Sequence, residues 1–216
     1  MPSRLRQLSP LASGQAVATE SASTTKSQSF RRKHLLPALP DQVWQIDHGI
    51  VRTLTWNPQG HVTTLSIWGR GGMVGLPLTC QQPYQMECLT TVKARSTPIG
   101  SHSRFWQSAL LKHLWQQEEL LRIVHQPSVR ERLTQLLHWL AHRFGRPVSQ
   151  GQLLESMLTH QQIAEILGTS RVTVTRLLTQ LEQEGQLIKF NKSAGQWTGN
   201  ASLGFSYRAL LLVSPP

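Results

Sequence analysis

Thr159-His160-Gln161-Gln162-Ile163-Ala164-Glu165-Ile166-Leu167-Gly168-Thr169-Ser170-Arg171-Val172-Thr173-Val174-Thr175-Arg176-Leu177-Leu178 is the stretch that decides the architecture. Thr159 and Gln162 have the spacing of a capping box, in which the threonine oxygen accepts a backbone N–H and the glutamine reaches back. A helix therefore starts here, with Ile163, Ala164 and Leu167 as its apolar face. Gly168 sits where a left-handed residue ends that helix, and Thr169-Ser170 caps the next one. The turn is then about three or four residues long, as a helix-turn-helix needs. In the second helix Val174, Leu177, Leu178 and Leu181 recur at i, i+3, i+4 and i+7 and face the core. The opposite face carries Arg171, Val172, Thr175, Arg176 and Thr179 and no acid.

That face fixes the chemistry. A recognition helix enters the major groove with its first turn, where an arginine donates to guanine O6 and N7. Valine and a threonine methyl meet a thymine methyl. The candidate DNA-binding residues are Arg171, Val172, Thr173, Thr175 and Arg176, with Thr169, Ser170 and Gln161 at the two helix starts and Lys192 beyond. Thr173, Thr175 and Arg176 equally suit phosphates, which fix register without reading sequence. A plain helical hairpin with a solvated polar face is the competing explanation, and β-branched residues are poor choices for one.

Downstream of the unit, Leu187-Ile188-Lys189-Phe190 and Tyr207–Val213 read as two strands of a wing, joined by a long Gly/Ser/Asn-rich loop over 191–206. Upstream, Leu133, Leu136, Leu137, Leu140 and Ala141 share one helical face, and Gly145-Arg146-Pro147 closes that helix. A linking stretch over Val148–Met157 has room for a short strand. Between Phe105 and His125, Leu110, Leu114, Leu121 and Val124 form a heptad seam with Gln117 in the remaining slot. Such a seam between two domains is the pattern of a parallel dimer helix; packing on its own domain is the alternative.

From Val43 to Val92 the signals are β. Ile50–Trp56 and Val62–Trp68 flank the turn residues Asn57-Pro58-Gln59-Gly60 and form a hairpin. Gly69, Gly71, Gly72 and Gly75 mark a tight loop, and a further strand is expected from Met86 to Val92. Residues 1–29 are rich in Ser, Thr, Gln and Ala, with Glu20 as their only acid, and read as a disordered tail followed by the basic cluster Arg31, Arg32, Lys33. The expected architecture is α+β in four parts: a basic tail over 1–33, a shortened β-roll over 34–104, a dimerisation helix over 105–126 and a winged helix-turn-helix over 127–216.

Composition bounds the partners. The 22 Lys+Arg against 11 Asp+Glu give a net charge of +11, which draws the chain to polyanions. No run is long and apolar enough to cross a bilayer. The two cysteines, Cys80 and Cys88, fit no zinc, iron–sulfur or disulfide framework, which suits a reducing cytoplasm. No nucleophile–base–acid set and no phosphate-cradling loop leading into a helix is found, so an enzyme is not expected. A protein-interaction module with only non-specific nucleic-acid binding is the competing function.

The residues of 159–178 resemble the Crp/Fnr family of bacterial transcription regulators, and Ser170-Arg171-Val172-Thr173-Val174-Thr175-Arg176-Leu177-Leu178 looks most like the cyanobacterial global nitrogen regulator group. The resemblance extends more weakly over 35–192, through Gly49-Ile50-Val51-Arg52, the Asn57–Gly60 turn and Gly72-Met73-Val74-Gly75. It implies a cyclic-nucleotide-binding-like roll, a dimer helix, palindromic duplex DNA as partner of a homodimer, and RNA polymerase as a further partner. The departures matter as much. Val172 stands where cyclic-AMP-receptor-type members carry a base-reading glutamate. Leu76-Pro77 follows Gly75 where the cyclic-nucleotide site has a glutamate, and Tyr84-Gln85-Met86-Glu87 offers no arginine for the phosphate. The resemblance therefore argues against cyclic nucleotide and predicts no cofactor. The arginine that would hold 2-oxoglutarate is also missing, with Lys112 the remaining carboxylate ligand; 2-oxoglutarate and haem stay open, although His48, His61, His102 and His113 have no diagnostic spacing and read as surface residues.

Overall fold

The computed structural model describes residues 27–99, 103–155, 157–190 and 209–213. The first half folds into a β-roll of seven strands: β1 (Ser27–Phe30), β2 (Gln42–His48), β3 (Val51–Trp56), β4 (Val62–Trp68), β5 (Met73–Val74), β6 (Gln85–Cys88) and β7 (Val92–Pro98). They make two antiparallel sheets, ordered β1-β7-β2-β5 and β4-β3-β6. Trp44, Ile46, Val51, Trp68, Val74, Met86, Val92 and Ala94 fill the space between them.

Two expectations are corrected. The chain is not a free tail up to residue 33, because Ser27–Phe30 pairs with Val92–Arg95 at the sheet edge and Phe30 packs edge-on against Trp44, with ring centroids 5.3 Å apart. An edge strand can be polar because it is held by backbone hydrogen bonds, which composition does not show. The single strand expected from Met86 to Val92 is two strands in different sheets; Leu89 is buried at the crossing, and Thr90 Oγ accepts a hydrogen bond from the Ile50 N–H at 2.9 Å. The linking stretch over Val148–Met157 holds the expected short strand, β9 (Gly151–Glu155), which pairs with β8 (Arg146–Val148) in the segment that closes the preceding helix.

Gly49 turns β2 into β3 with φ +90°, and a Cβ there would lie 2.2 Å from the Thr91 carbonyl oxygen. Both the torsion and the backbone wall exclude a side chain. Gly49→Ala is expected to lose about 1–3 kcal/mol of stability, read as a lower urea midpoint at unchanged slope.

Helix α1 (Ser103–Val124) runs out of the roll, and α2 (Val129–Phe144) follows. The second helix is opened by a Ser128/Glu131 capping box, so the break lies at Ser128, one residue past Pro127. Gln116, Leu120 and Ile123 turn α1's inner face to the protein body, where the Gln116 amide donates to the Ile67 carbonyl at 2.6 Å. Leu110, Leu114 and Leu121 lie on the other side, each about half exposed.

The second half packs α2, α3 (His160–Leu167) and α4 (Arg171–Gln183) on a sheet ordered β10-β11-β9-β8, with β10 (Leu187–Phe190) and β11 (Ala209–Val213). The two expected wing strands pair antiparallel, Leu187 opposite Leu212. The inner strand β11 buries Ala209, Leu210, Leu211 and Leu212. Ile67 and Leu89 of the roll join the same apolar core as the helices, so the two halves share packing.

Candidate nucleic-acid interface

The helix-turn-helix forms from local chemistry. Thr159 Oγ accepts from the Gln162 N–H at 3.2 Å, while Gln162 Oε1 accepts from the Thr159 N–H at 2.9 Å. Gly168 takes φ 62° and ψ 44°, and its N–H closes on the Ala164 carbonyl. A second hydrogen bond to that carbonyl comes from the Thr169 N–H at 3.0 Å, and Arg132 of α2 donates to the Leu167 carbonyl at 3.2 Å. Two of the last-turn carbonyls of α3, those of Ala164 and Leu167, are thereby satisfied. Ser170 Oγ accepts from the Thr173 N–H at 3.1 Å and opens α4.

Ile163, Ala164, Ile166 and Leu167 of α3 are buried together with Val174, Leu177, Leu178 and Leu181 of α4. The exposed face of α4 displays Arg171, Val172, Thr175, Arg176 and Thr179 side by side, Val172 being 77% exposed. Thr173 is half-buried, its hydroxyl within 2.9 Å of Ser170 Oγ, and Thr169 is half-buried in the turn. Gln161 is exposed at the start of α3, its amide 3.2 Å from Glu165 Oε1. Lys192 lies outside the described residues, as do the 191–206 loop and Tyr207.

Two sets of residues enter the site that sequence reading did not single out. His160, in the first turn of α3, places Nδ1 2.8 Å from Thr175 Oγ on α4. Burial, then the charges of Lys189 and Arg171, hold its pKa below the ordinary histidine value. The second set binds α3 to the roll. Arg52 of β3 is 5% exposed and reaches Glu165 of α3 at 2.7 Å and Glu87 of β6 at 2.9 Å. Gln162 donates to both Glu87 oxygens at 3.2 and 3.3 Å. Arg32, in the basic cluster that follows the tail, is exposed and donates to the Met157 carbonyl at 3.3 Å.

The last glycine of the roll's glycine segment is engaged by Tyr84. Tyr84 is half-buried and hydrogen-bonds the backbone of Gly75; burial pushes its phenol pKa up, with the Gly75 bond pulling the other way. Elsewhere, a cavity of about 310 Å³ opens between the Gly69–Gly72 turn, α1 and the end of α2, with Arg70 and Lys112 at its wall. His113 also lines it, and it is not a surface residue: its ring stacks on Trp68 at 4.4 Å, and burial lowers its pKa. Among the described residues no group of His, Cys, Asp or Glu is arranged to hold a metal ion, and no helix is long and apolar enough to cross a membrane.

A winged helix-turn-helix joined to a β-roll by a long helix is the build of a DNA-binding transcription regulator. The Crp-like helix-turn-helix domain model matches residues 131–193. Regulatory protein CysR of Synechococcus elongatus is 39% identical over 168 residues, covering 75% of this chain and 79% of that protein. The global nitrogen regulator of the same organism is 29% identical over 171 residues, covering 70% and 75%. Among solved structures, a CRP-family transcriptional regulator from Thermus thermophilus superposes with a TM-score of 0.68 at 18% identity, over 87% of this chain and 92% of that one. FixK2 from Bradyrhizobium japonicum gives 0.66 at 18% identity, over 87% and 91%. The chain belongs to the Crp/Fnr family of transcription regulators.

Proposed function

We propose that this protein is a homodimeric, sequence-specific regulator that reads a palindromic duplex through Arg171, Val172, Thr175 and Arg176 and works without cyclic nucleotide. The observation that carries the reading is the exposed face of α4, which presents two arginines, a valine and two threonines with no acid among them. Its first turn is capped by Ser170 and stands clear of the core, the geometry with which a recognition helix meets base edges. The apolar outer face of α1 supports the dimer, because a twofold DNA site needs two recognition helices in fixed relation. Tyr84 on Gly75, and Leu76 in the position after it, support the absence of a cyclic-nucleotide response.

Arg171→Ala is the test. Measured against the preferred duplex and a scrambled one, the variant is expected to lose about 1–3 kcal/mol of discrimination while its fold, checked by circular dichroism, is unchanged. Equal loss on both duplexes, with affinity in each falling alike as salt rises, overturns direct readout in favour of non-specific phosphate binding.

A further inference from the structure

Thr175 stands on the exposed face of α4, yet its hydroxyl is already engaged within the protein. Its Oγ donates to the carbonyl of Arg171, one turn back, at 2.9 Å. A hydroxyl has one hydrogen to give. With that hydrogen on the Arg171 carbonyl, the 2.8 Å contact with His160 Nδ1 closes only if the ring nitrogen donates and Thr175 accepts. The contact therefore calls for a ring that carries a hydrogen on Nδ1.

What Thr175 has left for a ligand is a methyl group and one lone pair. It has no hydrogen for a phosphate oxygen, which only accepts, nor for the acceptor atoms of guanine. The apolar group that a base pair offers in the major groove is the thymine 5-methyl. Val172, earlier on the same exposed face, adds a second apolar surface.

We propose that His160 is a positioning residue for base readout: from outside the recognition helix its Nδ1 holds the Thr175 hydroxyl in the rotamer that donates to the Arg171 carbonyl, so that Thr175 turns its methyl to a thymine and does not bind phosphate. The proposal rests on the reading of α4 as the recognition helix and narrows what that helix recognises. It also makes the first turn of α3 part of the specificity apparatus through a side chain that need not touch DNA.

The experiment uses the full chain and a duplex selected from a randomised pool for tightest binding, in which each thymine is replaced in turn by deoxyuridine. The wild-type protein is expected to bind roughly three- to fivefold more weakly when one particular thymine in each half-site loses its methyl, the transfer value of about one buried methyl group. Thr175→Val, which keeps the methyl and loses the hydroxyl, keeps that ratio. Thr175→Ser keeps the hydroxyl and lowers the ratio to near one at that thymine alone. His160→Leu lowers the ratio at the same thymine, and His160→Asn, whose amide can donate from near the Nδ1 position, restores it. Uniform weakening of Thr175→Val on all sequences would show that the hydroxyl contacts DNA and would overturn the proposal. So would a thymine preference that Thr175→Ser leaves intact. If selection with the wild-type protein yields no preferred sequence, direct readout itself fails. A preferred sequence with no deoxyuridine-sensitive thymine removes only the present proposal. The Thr175 variants sit at an exposed position, so they remain informative should a His160 variant fold poorly.

Discussion

Arg52→Ala is expected to cost about 3–5 kcal/mol of folding stability, the range for breaking a buried ion pair by removing one partner. The guanidinium is 6% exposed and lies between two carboxylates that are themselves largely covered, Glu87 at 19% and Glu165 at 16%. Removing it leaves two acids facing each other across the junction of roll and helix-turn-helix, with the Gln162 amide still donating to Glu87 and the Gln161 amide to Glu165. Thermal and urea unfolding measure the loss. Replacing all three charges together, Arg52→Met with Glu87→Gln and Glu165→Gln, is expected to recover most of it, because the penalty comes from the unpaired charge more than from the pair. A drop under about 1 kcal/mol for the single variant would mean that the site is wet enough to be a surface ion pair.

The consequence reaches past stability. Glu165 and Gln162 lie on α3, and α3 carries α4 through the Gly168 turn and the shared packing of Ile163, Leu167, Val174 and Leu178. The clamp on α3 therefore sets how the recognition helix is held relative to β3 and β6. Hydrogen exchange in the single variant should rise first in α3, the element whose tie to the roll is cut, before the roll strands.

What the sequence made legible is what is local. The Thr159/Gln162 box, the left-handed Gly168, the Ser170 cap and the four buried positions of α4 each depend on residues within about two helical turns, and pattern rules operate at that range. The edge strand Ser27–Phe30 was missed because its evidence is a ladder with Val92–Arg95, and nothing in its own composition records that pairing. The break between β6 and β7 was missed for the same reason: Leu89 continues the apolar pattern while the chain changes sheets. Arg52 and Glu165 are 113 residues apart, and a lone arginine in a strand read as hydrophobic gave no hint of a partner on α3. His160 shows the limit most sharply. Its slot in the first turn of a capped helix looks solvated, and only the angle between α3 and α4 brings it to Thr175, 15 residues on.

Leu114→Lys on α1 is expected to weaken binding to the palindromic site on the order of 100-fold or more, because the second half-site contact becomes a separate bimolecular event once the dimer is lost. Leu114 is 57% exposed, with Leu110 and Leu121 at 46% and 58% on the same side of the helix and Leu111 and Trp115 beside them. So continuous an apolar strip on a regular helix is what the proposed dimer would cover. Gln117 is the polar residue in the seam, and two such glutamines facing each other in a parallel pair would fix register at small cost. A lysine at Leu114 places two like charges across the same seam, where they repel and cannot be hydrated without parting the helices. Sedimentation should show the variant as a monomer at concentrations where the parent is a dimer, and circular dichroism should show the same helix content, since Leu114 does not belong to the monomer core. The variant should also retain the parent's affinity for an isolated half-site. A Leu114→Lys protein that remains dimeric and binds the full site normally would remove α1 as the dimer helix and with it the twofold model of recognition.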